Sequence, residues 1–279
     1  MSAQRFSAVL TGASGGIGHA MAVALASRCD ALLLVGRDPQ RLAALRKALV
    51  SERPLAVSVV AGDLTDDATR QRVHDAAAAL SAPVDLLVNN AGVTEFHEFE
   101  SQRPETMSRL IEINLVAPMH LTHSLLPLLR RAPRAQIVNV GSIFGYLGYP
   151  GYAAYCASKF GLRGFSQALR RELADTAVSV RYFAPRATTT ALNSPAVTAM
   201  NRELRVAEDS PEVVAGMLLR FLSTDAWECK IGFPESLYVF LNQLVPALND
   251  NAIGRQLRTI RKHLPGSGSQ RSPADRAAG

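Results

Sequence analysis

Ser142, Tyr155 and Lys159 stand within one short stretch, GSIFGYLGYPGYAAYCASKFG, residues 141–161. A hydroxyl, a phenol and an ammonium are groups that can hold an oxygen atom and pass it a proton. Tyr155 and Lys159 are one helical turn apart, so they share a face if this stretch is helical. Taken alone, the trio fits an ordinary helix start with a solvated lysine better than it fits a site. The pattern does not say whether that face meets solvent or a substrate.

A second stretch with chemical content lies near the N-terminus. The run TGASGGIG, residues 11–18, follows a strand-like segment and opens a helical pattern. Glycines at 12, 16 and 18 let the backbone turn tightly and let a diphosphate approach the helix N-terminus, where free N–H groups and the helix dipole attract anions. Their spacing differs from the GxGxxG of the standard dinucleotide fingerprint, so the strand–turn–helix context carries the reading.

The elements that must position these groups are legible as alternating short apolar runs and amphipathic segments. Strands are expected over 7–12, 31–36, 55–63, 84–90, 135–140, 178–184 and 228–233. Helical patterns lie between them, as in RLAALRKALV, ATRQRVHDAAAAL and the longer MSRLIEINLVAPMHLTHSLLPLLR. Continuous apolar strands separated by helices indicate a parallel sheet covered on both faces. The expected fold is α/β, doubly wound, with a mostly parallel Rossmann-like sheet in a single domain over 1–233. Regularity is lost from 187 to 209, an insertion expected to form a substrate lid. It ends at Ser210-Pro211, an N-cap followed by proline at the first helical position. A helical extension is expected over 234–264 and a disordered tail over 265–279.

Together TGxxxGxG, the NNAG of residues 89–92, Ser142 and the YCASK of residues 155–159 resemble the short-chain dehydrogenase/reductase family, in the family's order and approximate spacing. The resemblance covers the strand pattern from about residue 6 to 233. It implies that Tyr155 is the acid/base, that Ser142 hydrogen-bonds the reacting oxygen, and that Lys159 binds the nicotinamide ribose. A lysine ammonium with an oxidised nicotinamide nearby would favour the phenolate and lower the tyrosine pKa from about 10. The same resemblance implies that Asn114 distorts its helix and anchors a water linking Lys159 to solvent. Tyr152 lacks a lysine one turn on and is assigned to the wall of the substrate pocket.

Cofactor choice rests on the end of the second strand. An acid at that strand tip would receive an NAD ribose and repel a 2′-phosphate. This chain has Gly36 there, followed by Arg37, which can pair with a 2′-phosphate and stack on adenine. Asp38 before Pro39 reads as a helix N-cap. The family's second basic signal is absent, because residue 15 is glycine. NADP(H) is the expected cofactor. By resemblance its binding residues are Gly12, Ser14, Gly16, Ile17, Gly18, Arg37, Asp63, Leu64, Asn90, Ala91, Gly92, Tyr155, Lys159, Pro185, Thr188 and Thr190. Asp63 would contact adenine, or else simply cap its strand. Asn89 to Gly92 would border the adenosine ribose and steady the sheet.

Two features depart from the family pattern. Pro185 is followed by Arg186 where a glycine is usual, so Arg186 is expected to reshape the pocket, to meet an acidic substrate group, or to be a solvated loop residue. The C-terminus continues beyond the family's usual end. Ile253, Leu257, Ile260 and Leu264 fall near one helical face, with Arg255, Arg258 and Lys262 elsewhere. Such a helix can pack in a dimer, cover the substrate cleft, or lie on an anionic membrane.

Composition bounds what remains. With 48% hydrophobic and 19% charged residues the chain is a globular protein able to bury a sizeable core. Its formal net charge is +6, and residues 251–279 alone contribute +5, which leaves a nearly neutral body and argues against nucleic-acid binding. The three cysteines are too widely spaced for a disulfide framework or a metal site. The expected setting is cytoplasmic, with membrane-peripheral contact through the C-terminal helix as an alternative, and a homo-oligomer is anticipated. The expected activity is NADPH-dependent reduction of a hydrophobic ketone or ketoacyl group. Oxidation of a secondary alcohol with NADP+ is the alternative, and a catalytically silent NADP(H) sensor the remote one.

Overall fold

The computed structural model describes residues 5–52, 54–232, 238–239, 241–242 and 245–265. Seven parallel strands form one sheet: β1 (Phe6–Thr11), β2 (Cys29–Gly36), β3 (Ala56–Ala61), β4 (Leu86–Asn89), β5 (Ala135–Val140), β6 (Val178–Ala184) and β7 (Glu228–Lys230). Their order is β3-β2-β1-β4-β5-β6-β7. The helices between them are α1 (Gly16–Ala26), α2 (Pro39–Glu52), α3 (Asp67–Ala78), α4 (Pro104–Ile111), α5 (Ala117–Leu129), α6 (Ala153–Glu172), α7 (Pro195–Glu203), α8 (Pro211–Leu222) and α9 (Pro246–His263).

Strand side chains alternate between faces, so a strand buried on both sides must be apolar throughout. In β1, Ala8 and Leu10 pack with Met21 and Leu25 of α1, Leu42 of α2 and Leu218 of α8, while Val9 packs with Leu33, Leu121 and Leu125 on the other face. These two cores hold the sheet rigid. β1 pairs with both β2 and β4, so chain direction across the sheet reverses between β1 and β4. Ligands of open α/β sheets bind in the crevice at such a switch point, beyond the carboxyl ends of the strands.

The strand expectations hold to within a few residues at each end, and the last strand is shorter, ending at Lys230. Phe233 and residues 266–279 lie outside the described residues, as does part of the extension read over 234–264. The excursion from 187 to 209 is not irregular throughout: it contains α7, whose N-cap Ser194 accepts a hydrogen bond from Val197 N at 3.3 Å. Ser194-Pro195 repeats the signature of Ser210-Pro211 and could have been read the same way. The base of the excursion is pinched shut. Thr189 N donates to Asp209 O at 3.0 Å, and Arg186 makes a two-pronged pair with the Asp209 carboxylate at 2.8 and 2.9 Å. Arg186 is therefore neither solvated nor directed at substrate by charge alone; it ties the two ends of this excursion together.

Candidate functional site

The carboxyl ends of β1, β2, β3, β4, β5 and β6 bring the motif residues to one edge of the sheet. Gly12 follows β1 at φ +69°, a conformation that L side chains rarely adopt. A Cβ there would lie 2.8 Å from Asn90 Nδ2, and a Cβ at Gly18 only 2.0 Å from Gly12 O. The turn is packed too tightly on its inner side for any side chain. On its outer side Gly15 and Gly16 are exposed, no side chain caps α1, and no acid stands in its first turn. Ser14 and Ile17 are half-buried beside them. The ends of β1 and β4 are stitched together: Thr11 Oγ1 accepts from Asn90 N at 2.9 Å and Ala91 N at 3.0 Å, and Asn90 Nδ2 donates to Thr11 O at 3.0 Å.

At the tip of β2 a Cβ on Gly36 would meet Ser14 Oγ at 2.7 Å. The strand tip thus lies tight against Ser14, whose hydroxyl would have to turn aside for any side chain there. Arg37 is exposed, and its side chain has no hydrogen bond or ion pair with any other described residue. Asp38 accepts from Arg41 N at 2.9 Å, the capping role its place before Pro39 suggested. After β3, Asp63 Oδ1 accepts from both Thr65 N and Thr65 Oγ1, at 2.9 and 2.8 Å, and Oδ2 pairs with Arg109. Burial pushes the Asp63 carboxyl up, but these bonds outweigh it and hold the group below its ordinary range. Leu64 beside it is half-buried, and its carbonyl accepts from Arg70 at 2.6 Å.

β5 ends in Val140, and Ser142 follows on extended backbone, its Oγ accepting from Phe144 N at 3.1 Å. α6 begins at Ala153 and carries Tyr155 and Lys159 on one face, as their spacing predicts. The Ser142 hydroxyl faces the Tyr155 phenol closely enough to pull its pKa down against the effect of burial. Lys159 is buried; its Nζ donates to Val140 O at 3.1 Å and stands 5.7 Å from the centre of the Tyr155 ring. Asn114 sits in a π-helical turn, Glu112–Val116, between α4 and α5. Its amide clamps the backbone that follows Gly92, accepting from Val93 N and donating to Val93 O, both at 2.9 Å, and it donates to Ser158 Oγ at 3.0 Å. Ser158 in turn donates to Tyr155 O at 2.7 Å, so Asn114 reaches the helix turn that carries the phenol. A Cβ on Gly92 would lie 3.1 Å from Asn114 Oδ1 and 3.6 Å from Lys159 Nζ.

Burial pushes the Tyr155 phenol up to about 12, with the Ser142 hydroxyl pulling the other way. Burial lowers the Lys159 ammonium to about 8. Lys159 points its ammonium at the β5 carbonyl, so the protein's own groups keep Tyr155 a protonated acid rather than a phenolate.

β6 continues into buried Pro185, whose carbonyl accepts from Ile143 N at 3.1 Å. Thr188 is buried with its Oγ1 donating to Arg186 O at 3.1 Å, and a Cβ on Gly16 would come 3.2 Å from Thr190 Cγ2. The stem of the excursion therefore passes directly over the glycine turn.

The remaining wall is aromatic. Phe144 and Tyr152 lie 6.3 and 6.2 Å from the Tyr155 ring, centre to centre, both edge-on, and Phe96 and Tyr149 extend the cluster. Val197 and Met200 of α7 pack on it, and so do Ile260 of α9 and Leu264 just beyond that helix. Tyr149 Oη donates to Gln256 Oε1 at 2.8 Å, and Glu203 of α7 accepts from Lys262 Nζ at 2.8 Å. Of the alternatives for the C-terminal helix, its apolar face is used to cover this cluster. Phe96, Phe144, Tyr149, Ser158 and Gln256 were not singled out from sequence. Phe144 and Tyr149 lie inside the Ser142–Tyr155 interval, and that proximity was an available signal.

Residues 7–201 match the family model described as short chain dehydrogenase. The chain is 35% identical over 167 residues to the uncharacterized oxidoreductase YusZ of Bacillus subtilis, a match spanning 59% of that protein's length. It is 29% identical over 266 residues to bovine dehydrogenase/reductase SDR family member 7B, covering 91% of this chain and 82% of the relative. A short-chain dehydrogenase from Sphingobium yanoikuyae, solved in complex with NADPH, superposes with TM-score 0.75 at 28% identity over 87% of this chain and 94% of its own. One from Burkholderia phymatum, solved in complex with NAD, shares the fold with TM-score 0.79 at 23% identity, covering 89% and 96%.

Proposed function

The chain belongs to the short-chain dehydrogenase/reductase family of oxidoreductases, and from that premise we propose that it reduces a hydrophobic ketone with NADPH. The observation that carries the reading is the placement of Tyr155 beside Ser142, with Lys159 one turn on, under an aromatic wall. The residues fit a dinucleotide. The tight inner side of the glycine turn and the uncapped N-terminus of α1 leave room and N–H donors for a diphosphate. Arg37, exposed and unpartnered among the described residues, suits a 2′-phosphate, and Gly36 stands where an acid would select NAD. When bound, NADPH would supply a hydride to the substrate carbon.

The chain's own residues do the rest. Ser142 holds the carbonyl oxygen by a hydrogen bond and keeps it beside Tyr155. Tyr155, held protonated, gives that oxygen its proton. Lys159, an ammonium below about pH 8, stabilises the phenolate left behind. The aromatic cluster with Ile260 and Leu264 favours an apolar substrate body.

The test is oxidation of NADPH and NADH by purified protein against short, acyl-chain and polycyclic ketones. Turnover should prefer NADPH and fall by about 10²- to 10⁴-fold in Tyr155→Phe. Arg37→Ser should raise KM for NADPH about ten- to hundredfold, the worth of a charge-assisted pair, and leave NADH unaffected. A preference for NADH in the wild type would refute the role given to Arg37, and full activity in Tyr155→Phe would refute the mechanism.

A further inference from the structure

The helices over the aromatic cluster have a second face. α7 and α9 both turn apolar side chains inward onto that cluster, and Glu203 bonds Lys262 and His263, so the two helices lie side by side. Their backs form one outer surface. On α9, Arg255, Arg258 and Arg261 recur every three residues outside the Ile260 face, and all three are exposed. On α7, Arg202 lies opposite Val197 and Met200, with Arg205 just past the helix end; both are exposed. None of these five side chains has a hydrogen bond or ion pair with another described residue. The nearby acids are mostly engaged: Glu203 with Lys262 and His263, and Glu208 with Asn201 at 2.9 Å, while Asp250 is exposed.

Exposed aliphatics flank the same helices. Leu192 precedes α7 at 53% exposure, Val206 follows it at 37%, and Val245 precedes α9 at 46%. We propose that the backs of α7 and α9 form a docking surface for an anionic lipid bilayer. The five arginines are spread over two helices, which suits an extended anionic surface better than a single small anion. An acidic protein would satisfy the arginines but gain little from three separate aliphatic side chains, whereas the headgroup boundary of a bilayer takes both. The apolar face of α9 is already spent on its own chain, so binding is by charge with shallow aliphatic contact, not by insertion of the helix. It is consequently salt-sensitive.

Full-length protein would be sedimented with vesicles of phosphatidylcholine alone and of phosphatidylcholine mixed with phosphatidylglycerol, at low and high salt. Binding to the anionic vesicles only, lost at high salt, is expected. The variant Arg255→Gln/Arg258→Gln/Arg261→Gln should bind at least about tenfold more weakly and reduce a water-soluble ketone at the wild-type rate. Arg202→Gln/Arg205→Gln should weaken binding separately. Absence of binding to anionic vesicles overturns the proposal, as does equal binding to neutral ones or equal binding by both variants. Retention on polyglutamate without vesicle binding overturns it in favour of an acidic protein partner.

Discussion

Burial moves Lys159 and Tyr155 in opposite directions along the pH scale, and the two shifts have separate consequences. Lys159 titrates at about 8 in the folded protein against 10.5 when free. Between those values the unfolded chain binds the extra proton, so this residue's contribution to stability rises with pH across that window. Below about pH 8 the ammonium is present in both states and the cost of burying it is felt in full. The kinetic consequence is the reverse. The value of kcat/KM for NADPH, which reports the free enzyme, should fall as pH rises through about 8 and the ammonium is lost. Lys159→Met should have low activity with no such limb. The difference in melting temperature between variant and wild type should shift in favour of wild type from pH 8 to 10.5. A profile flat to pH 10 would show that the charge on Lys159 is not needed.

At the scale of the element, Asn114 and α9 position groups they do not themselves supply. Removing the Asn114 amide strands the Val93 N–H and C=O, each costing about 1–3 kcal/mol when buried unpaired. Asn114→Ala should therefore lower the denaturant midpoint clearly and reduce kcat, whereas a loss of kcat with unchanged stability would count against a positioning role. For α9 the magnitudes separate two kinds of contact. Ile260 is fully buried, and Ile→Ala changes at such sites cost about 2–5 kcal/mol. Glu203 is exposed, and ion pairs of that kind contribute little. Ile260→Ala should raise KM for long apolar ketones more than for short ones, and Glu203→Gln should alter neither; equal effects on short and long ketones would remove α9 from the substrate wall. Much of this scale was legible in advance: β5 and β6 were bounded correctly, because continuous apolar runs between helices leave few alternatives. The helix α7 was not, because its inward Val197 and Met200 form a pattern of only two turns. Their partner Ile260 lies some sixty residues on, beyond any local window.

Across the whole molecule, what escaped the sequence is what only assembled elements can make. Ser142, Tyr155 and Lys159 were visible because their types and spacing are local. The pairing of Arg186 with Asp209, and a buried ladder from Asn89 through Asn139 to Ser166, require elements from distant segments to meet in register. The same is true of the glycine turn, whose floor is the stitch between Thr11 and Asn90, 79 residues apart. That seam has a kinetic meaning. Closing so long a loop costs chain entropy before the contacts it creates repay it, so the seam is expected to knit after the crossing of the folding barrier. A dinucleotide gripping both sides would then act on the native state and hardly on the transition state. NADPH should slow unfolding in denaturant and leave the refolding rate unchanged; acceleration of refolding would mean that the two strand ends join early. If they join late, the cofactor serves this chain as a clasp on a finished sheet and not as a template for building it.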